Sequence, residues 1–412
     1  MKILILNGYS DSNKGDLAIT DATVSLLKSK NPGAEIILHS VFSKSDSDFN
    51  EHNRFIAKTG IKVRQMIVPS PYIKETTSKL DHIYALTRLI SSYALLAIYM
   101  LGLKKTVKKI SLHHYESLND FFTADKVVMK GGQYIYNDQR GIRGILYLLR
   151  MLTPLALRND IVLLSHSIGP IQGKIGTLIS KKLLAKAKTI YAREDVTFNF
   201  LTKTLKLHNV RHIQDMAFYY HKTKPTEATS NKIGVTVVNW NFPEAENREQ
   251  SRKAYVAALV STITQLINKQ GFEVELVPQV TVRHHGASDV DLMHEISAQV
   301  QSSSLKIVDS DLSPQALVDL YSGYKMVIGT RLHSCILALC ANTPVLAIKY
   351  QGYKTEGVMA AAHLSEYVLD IYTVKDYEII EKINHIISNL NELKLHINNK
   401  VTDINKQLHM AV

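Results

Sequence analysis

"KMVIGTRLHSCILALCANTPVLAI" runs from Lys325 to Ile348. Its first five residues, "KMVIG" (325–329), form the short apolar run of a fully buried strand. Thr330 and Arg331 interrupt it, and a helix opening at His333 or Ser334 is predicted to run to Ala341. Gly329 is expected to allow the tight turn between strand and helix. Asn342 tolerates the left-handed conformation that ends a helix, and Pro344 blocks its continuation. "PVLAI" (344–348) then reads as a second buried strand. Strand, short loop, helix and strand make a βαβ unit, the element of a parallel sheet.

The same alternation recurs along the chain. Strands are predicted at "KILILN" (2–7), "EIILHS" (35–40), "KVVMK" (126–130), "DIVLLSHS" (160–167) and "KTIYA" (188–192), with helices over 16–30, 140–158 and 174–187. "HKTKPTEATSNK" (221–232) is polar and aperiodic, as a linker would be. Beyond it come "KIGVTVV" (232–238), "FEVELVP" (272–278) and "LKIVD" (305–309), with helices over 250–269, 289–302 and from Ser313. The expected fold is α/β: two Rossmann-like domains, 1–225 and 226–365, facing across a cleft, followed by amphipathic helices in 366–412. Ligands of such folds bind at the carboxyl ends of the strands.

Composition narrows the partners. Apolar residues at 45% and charged residues at 21% suit packed cores rather than long disorder. The net charge of +12 favours anions: phosphate-bearing small molecules, nucleic acid or an acidic membrane surface. No arginine-rich tract and no RNA-binding aromatic signature occurs, which argues against nucleic acid. Cys335 and Cys340 point about 140° apart on one predicted helix, so they neither bridge nor pair on a metal. Two reduced thiols suit a cytoplasmic chain. "MKILILNGYS" (1–10) turns polar after Leu6, as a first strand does and a signal peptide does not. "IYALTRLISSYALLAIYMLGL" (83–103) carries a single charge, Arg88, and "KKTVKK" (104–109) follows it. Its charge-free part is too short to span a bilayer. It is expected to form an apolar helical insertion at about 80–118, either buried or lying among lipid headgroups through 83–109.

Several residues stand where chemistry is done. Arg331 and His333 meet the free N–H groups and positive dipole end of the predicted helix, a combination suited to an anion. An arginine capping a strand end beside a capping histidine is the plainer alternative. The first loop, "NGYSDSNKGDLAIT" (7–20), lacks the G-x-G-x-x-G of a dinucleotide site. There Gly15 is expected at positive φ and Asp16 at the helix N-cap, where its carboxylate repels phosphate and suits hydroxyls. Gly131 and Gly132 permit close approach of a ligand or backbone. Arg193 and Asp215 stand at strand ends, either as a salt bridge or as cleft lining. In "VPQVTVRHHGASDVD" (277–291), His284 and His285 are adjacent rather than at ligand spacing, and no metal motif occurs elsewhere.

Taken in order, "NKGDLAI" (13–19), "GG" (131–132), "HSIGP" (166–170), "AREDVTF" (192–198), "QDMAF" (214–218), "VPQVT" (277–281) with Asp289 and Asp291, and "GTRLHSCILALCANTPVLAIKY" (329–350) make a recognisable set. It resembles the polysaccharide pyruvyl transferase family from Ile3 to about Met359. The resemblance implies a GT-B-like fold and transfer of pyruvate from phosphoenolpyruvate to two hydroxyls of a sugar, making a cyclic ketal and releasing phosphate. It implies no cofactor besides that donor and no metal. It puts Arg331 and His333 at the donor's anionic groups, and Arg193 and Asp215 near the reacting centre, with His333 at phosphate departure and Asp215 as base. Asn13, Gly15 and Asp16 match the first-loop motif, and Ser334, Gln279, Gly131 and Gly132 complete the expected substrate-binding set. Gly131-Gly132-Gln133 departs from the three glycines of many members. The implied partner is a saccharide acceptor, lipid-linked if the enzyme docks at the inner membrane face. Two alternatives stand beside this reading. One is a nucleotide-sugar glycosyltransferase, with Glu356 nearest for a donor ribose; the other is a non-catalytic scaffold in polysaccharide assembly.

Overall fold

The computed structural model describes residues 1–71, 79–137, 141–222, 230–281, 288–308 and 311–411. The chain forms two compact units, one of Met1–Asp11 and Ile19–Met216, the other of Ser12–Ala18 and Ala217–Ala411. The division therefore falls after Met216 rather than after residue 225, and 366–411 belongs to the second unit. Hydrogen bonds explain this: Lys222 N–H donates to Cys340 O (2.9 Å) and Asn405 Nδ2 to Phe218 O (2.9 Å). The 221–232 linker expectation falls partly on 223–229, outside the described residues.

The first unit is built on strands β1 (Lys2–Gly8), β2 (Glu35–Ser40), β3 (Lys62–Gln65), β4 (Lys126–Met129), β5 (Gly132–Asn137), β6 (Val162–Ile171), β7 (Thr189–Ala192) and β8 (Val210–His212). They pair in parallel in the order β3-β2-β1-β4-β6-β7-β8, with β5 against β6. Strand order reverses between β1 and β4, and that switch point opens the crevice where such sheets take ligands. β3 and β8, "KVRQ" and "VRH", carry no apolar run, which is why periodicity misses them. The apolar insertion is a helix over Lys79–Met100, followed by Lys104–Ile110 and Leu112–Thr123. Leu89, Leu95, Leu96 and Tyr99 join the core, whereas Leu80, Ile83, Leu86 and Ile90 on the opposite face are exposed. One face of the helix is thus buried and the other open.

The second unit holds β9 (Lys232–Thr236), β10 (Glu273–Leu276), β11 (Leu305–Ile307), β12 (Met326–Gly329), β13 (Val345–Lys349) and β14 (Val368–Asp370). Their order is β11-β10-β9-β12-β13-β14, all parallel, with the reversal between β9 and β12. The stretch 325–348 is β12, a helix over Leu332–Cys340, and β13. The helix opens earlier than His333, with Arg331 as its N-cap residue at φ −85°, ψ 128°. Asn342 takes φ 57° beyond its end. Gly329 is not a turn glycine: a Cβ there would stand 2.5 Å from Cys335 Sγ, so it lets the helix lie close on the strand.

Candidate functional site

The end of β12 places Arg331 at the second unit's switch point. Its guanidinium grips the buried Asp289 with two bonds, Nη2 to Oδ1 at 2.6 Å and Nε to Oδ2 at 3.3 Å, and Nη1 donates to Tyr350 Oη at 3.3 Å. Three of five N–H groups are thereby used, and two remain for an anion. Burial opposes the Arg331 cation, but Asp289 and Tyr350 outweigh it and hold its pKa above the ordinary value. Burial conversely pushes the Asp289 carboxyl up against the pull of Arg331. Backbone bonds fix Asp289, since Val280 N–H donates to its Oδ2 at 2.9 Å. Ser334 corrects the expectation of a substrate contact. It is fully buried; its hydroxyl donates to Arg331 O (2.6 Å) and accepts from Thr236 Oγ1 (2.7 Å), while Thr330 N–H donates to Thr236. Ser334 anchors the helix start.

The first-loop residues 12–18 belong to this same unit. Asn13 bridges Val280, Lys14 N–H donates to Gln279 O (2.9 Å), and the buried Lys14 Nζ pairs with Asp311. Asn13, not Asp16, caps the helix: its Oδ1 accepts from Gly15 N–H (3.1 Å) and Asp16 N–H (3.4 Å). Asp16 sits in the first helical turn. Gly15 has no positive φ. Its role is space, because a Cβ there would lie 2.2 Å from His333 Nδ1. The His333 ring therefore rests on the Gly15 backbone, and a helix start from one end of the sequence shapes a histidine near the other. Gln279 is buried, its Nε2 donating to Tyr321 Oη (2.9 Å); its Oε1 has no hydrogen-bond partner among the described residues. Glu356, the residue a donor ribose would need, is engaged by Lys349 at 2.6 Å.

In the first unit, Arg193 and Asp215 do pair, Nη1 to Oδ2 at 2.8 Å, and both are buried. Arg193 Nε also donates to Glu194 (3.2 Å) and its Nη2 to Ser167; Ser167 Oγ in turn donates to Glu194 Oε2 (2.8 Å). Burial disfavours this cation, and Asp215 with Glu194 overcomes that and raises its pKa. Asp215 has no exposed surface, so in this pairing it positions Arg193 and is not open to a hydroxyl. Gly131 packs on β6, where a Cβ would stand 2.8 Å from Ser165 O, and Gly132 sits at φ 138° against the Tyr134 ring. Gly131 thus serves backbone packing on β6, and Gly132 makes room for the Tyr134 ring at a φ that favours glycine.

Sequence reading missed several groups here. Lys130 is fully buried at the end of β4, with Nζ donating to Tyr134 Oη at 2.6 Å. Asn7, next to last in β1, takes φ 68° and is buried, with neither side-chain atom partnered among the described residues. Asp289 stood out in the sequence only with the "VPQVT" motif, and nothing local ties it to Arg331. His284 and His285 lie outside the described residues. Among the described residues no three His, Cys, Asp or Glu side chains gather where they could hold a metal ion.

Residues 13–352 match the polysaccharide pyruvyl transferase family. The amylovoran biosynthesis protein AmsJ of Erwinia amylovora is 22% identical over 422 residues, spanning 96% of this chain and 94% of its own. A glycosyltransferase structure from Rickettsia africae ESF-5 aligns with TM-score 0.56 at 12% identity, over 99% of this chain and 96% of that one. A UDP-GlcNAc 2-epimerase from Neisseria meningitidis, bound to UDP-GlcNAc, aligns with TM-score 0.54 at 13% identity over 99% of each chain. Likeness at such identities shows the fold alone, which is GT-B-like. The family match spans Asn13, Gly15, Arg193, Asp215, Arg331 and His333 in one continuous run of the chain, and on it the chain belongs to the polysaccharide pyruvyl transferase family, transferases of polysaccharide pyruvylation.

Proposed function

We propose that the protein moves pyruvate from phosphoenolpyruvate to two hydroxyls of one sugar in a cell-surface or exopolysaccharide precursor, forming a cyclic ketal and releasing phosphate. One observation carries this reading: Arg331, His333 and the start of the Leu332–Cys340 helix converge at the end of β12, the switch point of its sheet. The two remaining N–H groups of Arg331 suit one anionic group of the donor, and the helix N–H groups suit another.

The proton balance is simple. Each ketal C–O bond frees one hydroxyl proton. One of the two ends on the donor's methylene carbon, which becomes the methyl group; the other leaves with the phosphate. His333, resting on Gly15 beside Arg331, is the group suited to hold or protonate the departing phosphate. Arg193, set by Asp215 and Glu194, holds a fixed guanidinium at the end of β7.

The acceptor is lipid-linked in this reading, and the enzyme works at the inner face of the membrane. The exposed stripe of Leu80, Ile83, Leu86 and Ile90, continued by Leu101 and Leu103, supports it. The lysines of the Lys104–Ile110 helix add attraction for anionic lipid.

The deciding experiment incubates the protein with phosphoenolpyruvate and lipid-linked saccharides, following phosphate release and the new ketal methyl signal by NMR. Both products should appear together and vanish in Arg331→Ala. Neither product with any acceptor, alongside tight binding of UDP-sugars, would favour a nucleotide-sugar glycosyltransferase instead.

A further inference from the structure

The most unusual buried charge in the first unit is Arg150, in the helix Ile142–Leu157. Its side chain is buried, and among the described residues its Nη1 has no hydrogen-bond partner and no carboxylate pairs with it. Burial accordingly pushes its pKa down, with only tyrosines acting the other way. Those tyrosines are Tyr147, Tyr93, Tyr136 and Tyr9. The guanidinium lies 5.4 Å from the Tyr147 ring centre, a cation–π contact that offsets part of the desolvation. A buried cation with no counter-anion is otherwise strongly unfavourable. A ligand anion would complete it.

The surroundings say what kind of ligand. Tyr136 and Tyr147 pack at 5.1 Å, and Tyr147 Oη donates to Tyr134 O at 3.0 Å. Tyr134 in turn contacts Tyr9 at 6.1 Å and takes the Lys130 hydrogen bond. The cluster thus runs from Arg150 to Lys130 at the end of β4, the first unit's own switch point. Tyr9, Tyr136 and Tyr147 are partly exposed, while Arg150 is buried. Aromatic walls beside the buried Arg150 guanidinium suit a ring with an anionic substituent.

We propose that Arg150 and the tyrosines around it bind an acidic sugar of the acceptor, a sugar ring carrying a carboxylate or a phosphate. The proposal deepens the acceptor half of the transfer described above and rests on that reading for the word acceptor. The binding itself can be measured without phosphoenolpyruvate, so the two fail separately. Isothermal titration and thermal melting of the full chain would be run with glucuronate, glucose 1-phosphate and the neutral methyl glucoside. At least one of the two acidic sugars should bind and raise the melting midpoint, and methyl glucoside should not. Whichever of the two binds tighter identifies the anion as carboxylate or phosphate. Arg150→Gln should weaken that binding at least tenfold, and Arg150→Lys should weaken it less. Without ligand, R150Q should melt at or above the wild-type midpoint, because it removes an uncompensated buried charge. No binding of either acidic sugar, equal binding by R150Q, or an R150Q that melts well below wild type would overturn the proposal.

Discussion

His333 owes its position to a glycine more than three hundred residues away in sequence. A methyl group on Gly15 would lie 2.2 Å from Nδ1, so Gly15→Ala must displace the imidazole. Misplacing a reacting group by about 1 Å can cost about a hundredfold in rate. G15A should therefore lose about that much phosphate release while its melting temperature stays within a few degrees of wild type. A G15A enzyme of wild-type rate would show that the ring's position is unimportant. Asp215 makes a different kind of prediction. Removing its charge leaves Arg193 buried with Glu194 as its remaining acid. Breaking such a pair costs about 3–5 kcal/mol, and with Glu194 retained Asp215→Asn should sit at the lower end, about 3 kcal/mol by urea unfolding. An unchanged stability with a collapsed rate would instead mark Asp215 as the base.

At the scale of elements, the helix Lys79–Met100 has one buried face and one exposed face. Ala85, Leu89, Ser92, Leu95, Leu96 and Tyr99 repeat at helical spacing and are buried. Ile83 and Ile90 repeat on the other face and stand about 60% exposed. Ile83→Glu with Ile90→Glu should therefore leave the melting temperature unchanged, since neither side chain packs in the core. The same variant should lose flotation with anionic liposomes at low salt. If wild type stays in the soluble fraction, or the variant floats equally well, the membrane reading of this face is wrong. Within the second unit, the Leu332–Cys340 helix owes its early start to hydroxyls. Thr236, Ser334 and the Thr330 N–H close a chain of bonds around the Arg331 carbonyl. That network ties the end of β12 to β9 across the switch point.

For the whole molecule, acid is the informative variable. Burial drives the His39 and His166 imidazoles down to about 3, and His114 to about 4. These groups stay neutral in the fold but take up protons in the unfolded chain once the pH drops below about 6.5. The unfolded state then binds more protons, so stability is full above that pH and declines as pH falls toward 3. His39 and His166 together should cost about 2.7 kcal/mol per pH unit through the middle of this range. Between pH 6 and 5 ordinary carboxyls remain ionised in both states, which isolates the histidines. Urea midpoints at pH 7, 6 and 5 should fall steeply, and His39→Gln with His166→Gln should flatten the slope. A wild-type midpoint constant from pH 7 to 5 would contradict this account.

Much of this protein is local. Apolar runs of four to six residues flanked by turn signals locate buried parallel strands, because a strand covered on both faces must be continuously apolar. Arg331 and His333 stood out because charge beside a predicted helix start, between two core strands, has few plain explanations. The ordered motifs from "NKGDLAI" to "TPVLAIKY" carried the family. What tertiary structure alone decided is what those residues touch. Gly15 provides space for His333, where the sequence suggested a positive φ. Asp289 holds Arg331, Asn13 takes the capping role expected of Asp16, and Ser334 turns inward. The unpaired Arg150 carries no sign in the sequence, because a missing counter-charge exists only once the chain has packed around it. Patterns of burial are written along the chain, since they follow the period of each element. Pairings between distant side chains are not, since they depend on which strand ends the folded sheet brings together.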